Sequence, residues 1–150
     1  MPILILVVAV IFLDQSVKYW VGSKMLLGMS VPVIPNIFHF TYVNNPGAAF
    51  GLLEHRTLVF VLIAIALFAV VIYFYPRLPR EYPLLRCGIG LLTGGAAGNL
   101  IDRIRTGYVM DYLDFRIWPV FNIADIAIVT GVCIIIYMLL FKMDKKDEVL

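Results

Sequence analysis

Residues 107–125 read GYVMDYLDFRIWPVFNIAD. The stretch runs from a polar loop into a long apolar segment, Ile126 to Phe141, and carries acids on the way. Asp111 follows Tyr-Val-Met, and Asp125 follows Phe-Asn-Ile-Ala. A carboxylate at the centre of a bilayer costs about 2.5–3.5 kcal/mol on insertion scales. Such an acid must therefore face protein or water. If the two acids meet, both cannot ionise cheaply, and they share one proton.

Composition points the same way. The chain has 150 residues, 62% of them hydrophobic and 15% charged, with a mean hydropathy of +0.95. Soluble domains carry about 45–50% apolar and about 25% charged residues, so the chain reads as an integral membrane protein. Its length fits one domain. The net charge of +2 is small and dispersed, which argues against nucleic acid. Cys87 and Cys133 lie in apolar segments and read as small hydrophobes, while His39 and His55 stand alone, so no metal or cofactor is expected.

A span needs about 20 mostly apolar residues. Four segments qualify, at about 2–21, 57–75, 84–101 and 119–141. Even spans put both termini on one side. Arg77, Arg80, Arg86, Lys142, Lys145 and Lys146 crowd a short loop and a tail on that side. Lys18, Lys24, Arg56, Arg103, Arg105 and Arg116 are spread over two longer loops on the other. The density favours termini in the cytosol. The outer segment at about 22–56 holds IFHFTYV at Ile37–Val43, which reads as a strand. Asn44-Asn45-Pro46-Gly47 follows as a turn, and Ala48 to Gly51 returns toward the membrane. The expected fold is all-α: four transmembrane helices with a small β-rich lobe on the outer face. Trp20, Tyr42, Tyr108, Tyr112 and Trp118 suit an interfacial aromatic belt. Gly90, Gly94 and Gly98 recur every four residues, which lets a neighbouring helix approach closely.

On this topology the intramembrane polar residues Asp14, Asn99, Asp102 and Asp125 fall at one depth on the outer side, and Asp111 lies in the outer loop between the third and fourth spans. Asp125 lies about 9 Å into the fourth span if that span begins at Pro119. Each residue has a plainer role beside the functional one. Asp14 and Lys18 form an i, i+4 pair that neutralises itself. Asp102 beside Arg103 reads equally as an interfacial ion pair. Asp114 and Arg116 read as ordinary loop charges, and Asn45 as a turn residue. Asn99 and Asn122 can satisfy backbone groups or orient carboxylates. Asp111 and Asp125 have no base nearby in sequence.

Four blocks resemble the bacterial lipoprotein signal peptidases (signal peptidase II) over essentially the whole chain. They are Asp14-Gln15-Ser16-Val17-Lys18; Asn44 to Gly51; Gly98 to Arg103 with Gly107 to Asp111; and Phe121-Asn122-Ile123-Ala124-Asp125. Met110 and Pro46 depart from the family's usual residues. The resemblance implies a membrane aspartyl endopeptidase with Asp111 and Asp125 as catalytic dyad. Asn45, Asn99, Arg103 and Asn122 map to residues lining the site, and Asp14 and Asp102 to supporting positions. It implies a diacylglyceryl-modified prolipoprotein as substrate, cut just before the lipidated cysteine, with membrane lipid as the other partner. It places the protein in the bacterial inner membrane, active site toward the outer face, and a monomer is expected. Two other readings stay open on the residues alone: a proton-coupled transporter, whose acids would form a relay, and a non-catalytic scaffold docking through its glycine stripe.

Overall fold

The computed structural model describes residues 3–47, 56–78 and 80–143. Four long helices carry the chain: α1 (Ile3–Lys24), α2 (Thr57–Phe74), α3 (Pro83–Thr106) and α4 (Ile123–Met138). Each belongs to a helical stretch long and apolar enough to cross a membrane. At 1.5 Å per residue, α1 extends about 33 Å, enough for a hydrocarbon core of about 30 Å. The helix ends follow local chemistry. Pro76 cannot donate a backbone hydrogen bond, and α2 passes there into a 3₁₀ turn, Tyr75–Arg77. Pro83 opens α3. Gly107 closes it in the left-handed region (φ 82°), its N–H donating to the Arg103 carbonyl at 3.0 Å. The helix thereby carries Asp102 and Arg103 within its last turns.

Three strands join them among the described residues: β1 (Ser30–Ile34), β2 (Phe38–Asn45) and β3 (Val109–Asp114), an antiparallel sheet in the order β1-β2-β3. The sequence suggested one strand near Ile37–Val43. The sheet instead draws on both loops at this end of the bundle. In register, Val43 faces Asp111 and Asn45 faces Val109, with an irregularity between Phe40 and Val43. The stretch at 48–51 read as returning to the membrane lies outside the described residues.

The apolar run suggested that the fourth helix begins at Pro119. It begins at Ile123, because residue 121 is held by β3. Phe121 exchanges backbone hydrogen bonds with Leu113 at 2.8 and 3.1 Å, and Tyr112 N donates to Phe121 O at 3.0 Å. Asp125 thus sits in the first turn of α4 rather than about 9 Å along a helix. Tyr112 corrects a second expectation. It is fully buried, in a cluster with Val21 and Met25 at the junction of sheet and bundle, rather than in an aromatic belt. Its hydroxyl accepts from Ile123 N at 3.3 Å, which explains how a phenol is tolerated there. Trp20 and Trp118 are exposed.

Helix α3 is the hub of the bundle. A methyl at Gly94 would meet Val10 Cβ at 2.8 Å, and one at Gly98 would meet Asp14 Oδ2 at 2.7 Å, so this stripe packs on α1. Gly88 and Gly95 meet α4, where Gly131 lies against Gly88 and Leu92. Small residues let these backbones come close enough for dispersion contacts. Helix α2 contrasts: Ala64 is its one buried residue, and its apolar surface suits lipid.

Gly95→Ala would push a methyl onto the Ala124 carbonyl oxygen and Ile128. Overpacking of this kind costs about 1–3 kcal/mol, so the variant should melt clearly lower in detergent. At Gly22 an added methyl meets the flexible end of Met110 at 3.2 Å, and Gly22→Ala should leave the melting temperature nearly unchanged. Equal shifts would contradict the packing account.

Candidate active site

The site is assembled from the start of α4. Asn122 stands in extended conformation (φ −135°, ψ 179°) as the residue before the helix. Its side-chain oxygen accepts from Asp125 N at 2.9 Å, and Asp125 Oδ2 accepts from Asn122 N at 3.2 Å. This reciprocal cap satisfies two backbone donors and fixes the Asp125 side chain. It also fixes the Asn122 amide. With the oxygen occupied, the NH2 must point the other way, where it donates to Asp111 Oδ1 at 2.7 Å and to Asn99 Oδ1 at 3.1 Å. One buried amide therefore ties together the acid on β3 and the acid on α4.

Each acid has a second amide. Asn45, at the end of β2, donates to Asp111 Oδ2 at 2.8 Å while its oxygen accepts from Gly47 N at 2.9 Å. Asn45 is thus a turn residue and a site residue at once. Asn99 on α3 donates to Asp125 Oδ1 at 2.7 Å.

Behind these amides lies a buried ion cluster. Lys18 Nζ reaches Asp14 Oδ2 at 2.9 Å, Asp102 Oδ2 at 2.7 Å and Asn99 Oδ1 at 3.1 Å. Asp14 Oδ1 accepts from Ala124 N at 3.0 Å. Gln15 Nε2 bridges Asp14 and Asp102 at 3.2 and 2.9 Å. The helical pair Asp14–Lys18 forms, but it also spans three helices. The sequence did not single out Gln15, nor Lys18 as a bridge. The i, i+4 spacing of Asp14 and Lys18 was the available signal for Lys18, since it puts both on one helix face; no spacing marked Gln15.

Two expectations are corrected. Asp102 does not pair with Arg103: its oxygens are taken by Lys18, Gln15 and Met110 N, and Arg103 donates to Gly47 O at 2.8 Å and lies over the Phe60 ring. Asp114 is no ordinary loop charge. It is buried, accepting from Thr41 at 2.7 Å and from Arg116 N at 2.8 Å, and its ion pair with Arg116 fixes the turn after β3.

Asp111, Asp125, Asn45, Asn99 and Arg103 line one cavity of about 660 Å³. Its other walls are apolar: Phe60, Trp118, Phe121, Ile126 and Val129 among them. Asn122 was expected to line the site. It is fully buried behind it, as is Asp14. Burial first, and then the neighbouring charge of Asp125, push the Asp111 carboxyl up to about 7, against the amide donors of Asn45 and Asn122. Burial likewise pushes the Tyr112 phenol beyond its usual range. Near neutral pH the cavity therefore offers a carboxyl that can hold or release a proton beside a second carboxyl.

Known proteins match this chain along nearly all its length. A family model for signal peptidase (SPase) II matches residues 6–141. The lipoprotein signal peptidase of Moorella thermoacetica is 51% identical, covering 99% of each chain. That of Pelotomaculum thermopropionicum is 47% identical over 99% of this chain and 97% of its own. A solved bacterial membrane enzyme superposes with a TM-score of 0.89 at 36% identity, covering 96% of this chain and 90% of the other.

A carboxyl at about 7 in the folded protein and about 4 in the unfolded one lowers stability as pH rises between those values, because the native state keeps the proton longer. Wild type should thus lose stability from pH 4 to 7 by an Asp111 contribution that Asp111→Asn lacks. Melting temperatures of both proteins across that range should diverge upward for the variant. Parallel curves would refute the placement of that proton.

Proposed function

The chain belongs to the signal peptidase II family, and on that premise we propose that it removes the signal peptide from prolipoproteins using Asp111 and Asp125 as its catalytic pair. As a member of this family it is a peptidase and a multi-pass bacterial membrane protein. The transporter and scaffold readings fall with that assignment.

The observation that carries the proposal is the convergence of two carboxylates, from a strand and a helix start, on one cavity with apolar walls. The pair shares one proton near neutrality. The ionised member draws a proton from a water as it attacks the scissile carbonyl. The protonated member polarises that carbonyl and then helps to protonate the leaving amine. Asn99 and Asn122 hold Asp125 in place, and Asn45 and Asn122 hold Asp111. Arg103 keeps the Gly47 carbonyl at the cavity rim.

The substrate carries diacylglyceryl on its lipobox cysteine, and cleavage falls just before that cysteine. The acyl chains lie against the Phe60, Ile126 and Val129 walls, while the peptide bond stays at the polar end with the acids. The chain acts as one membrane-embedded peptidase domain and as a monomer in the inner membrane, with both termini cytosolic and the dyad toward the outer face.

Purified protein in detergent should cleave a diacylglyceryl-modified prolipoprotein. Asp111→Asn and Asp125→Asn should each lower the rate by about 10²–10⁴-fold at unchanged folded yield. Undiminished cleavage in either variant would end the dyad assignment. The pH dependence of kcat/KM should fall on its alkaline side with an apparent value near 7 that belongs to the pair. Asn45→Ala should lower turnover far more than folded yield; equal losses would reduce Asn45 to a turn residue.

A further inference from the structure

A second crevice, of about 380 Å³, opens between α1, α3 and the sheet and shares no lining residue with the dyad cavity. Its floor is the Lys18–Asp102 ion pair. Arg105, Tyr42 and Asn44 also line it. None of these three side chains makes a hydrogen bond or ion pair among the described residues. Asp102 does not answer Arg105, because its carboxylate already accepts from Lys18, Gln15 and Met110 N. The crevice therefore offers an exposed cation beside a tyrosine and an asparagine, none of their polar side-chain groups engaged by a protein partner among the described residues.

The crevice continues into a groove of about 560 Å³ along α1, through Gln15 and Tyr19, which line both. The groove is formed by Val8, Ile11, Phe12 and Ser16, which share one helix face with them. From Tyr19 to Val8 it runs about 16 Å, about one leaflet of a hydrocarbon core of about 30 Å. Tyr19 and Phe12 are 80% and 74% exposed, so the walls are open to the bilayer.

We infer that α1 and α3 hold a membrane phospholipid with an anionic headgroup, its phosphate on Arg105, Tyr42 and Asn44 and an acyl chain along the Val8–Tyr19 groove. Guanidinium and hydroxyl donors match phosphate oxygens in charge and geometry, and basic pockets between membrane helices bind anionic headgroups. A free phosphate fills the crevice but leaves the contiguous groove empty. An apolar helix fills the groove but leaves Arg105 without a counter-charge. A phospholipid answers both.

The test is native mass spectrometry of the full chain in detergent, titrated separately with phosphatidylglycerol, phosphatidylcholine and inorganic phosphate. Wild type should retain one phosphatidylglycerol at least about tenfold better than phosphatidylcholine, and added inorganic phosphate should not displace it. Arg105→Gln should abolish the preference and Tyr42→Phe should weaken it. Arg56→Gln, at a cation outside the crevice, should change nothing. Tyr42→Phe removes a single hydroxyl and keeps the test decisive should Arg105→Gln fold poorly. Wild-type retention in both crevice variants, an equal loss in Arg56→Gln, or displacement by inorganic phosphate would each overturn the inference.

Discussion

The buried amide of Asn122 is the constraint on which the site depends. A helix start leaves backbone donors unpaired, and in an apolar setting each must be satisfied locally. Asn122 meets that need with its oxygen and backbone N–H, which places Asp125 in the first turn. The same requirement forces its NH2 group toward Asp111. A structural necessity at one helix end thereby sets the relation between two acids from different elements. It also explains why α4 starts where it does. The extended conformation of Asn122 continues a segment whose Phe121 pairs with Leu113, so β3 is held against the mouth of α4.

The choice of donors around the acids is equally specific. Asp111 and Asp125 are held by the amides of Asn45, Asn99 and Asn122, which are neutral. A cation in direct contact would favour the ionised form of both. The buried cation, Lys18, stops one residue short: it binds the Asn99 carbonyl oxygen, and its charge is answered by Asp14 and Asp102. Arg103 lines the cavity but spends its hydrogen bond on Gly47 O. A buried ion missing a partner would cost several kcal/mol, and here each has one. Among the described residues only His39 Nε2, in the sheet, is a buried side-chain polar atom without a partner. The polar cluster is therefore satisfied inside an apolar bundle, with the two acids held by neutral amides.

The four helices were legible because hydropathy and length are properties of single segments. That the acids lie near one end of the bundle was legible too, but the place of Asp125 along α4 was not, because the helix starts at Ile123 rather than Pro119. Pairing across the chain was not legible either. Val109–Asp114 has little to mark it as a strand until β2 lies beside it, and Ser30–Ile34 is short with a proline inside. The start of α4 was misread because Pro119 to Phe121 is as apolar as the helix that follows, and only the backbone pairing with Leu113 distinguishes them. Tyr112 was misread for a related reason. An amphipathic aromatic near an interface suits an aromatic belt in sequence, whereas here its hydroxyl finds the Ile123 N–H inside the core. The roles of Asp102, Lys18 and Gln15 required knowing which face of α1 meets which face of α3.

That meeting is where packing and chemistry become the same interface. The glycine stripe on α3 first serves to bring α1 close: Gly90 takes Leu6, and Gly94 takes Val10. One step further along, Gly98 takes no apolar side chain but the Asp14 carboxylate. A methyl there would occupy the space from which Asp14 reaches Lys18 and Ala124 N. Ala124 lies next to Asp125, so the helix spacing set by the stripe is passed directly to the start of α4. The bundle therefore cannot be repacked at this end without moving the acids, and the regular four-residue spacing that reads as mere helix contact also sets the geometry of the site.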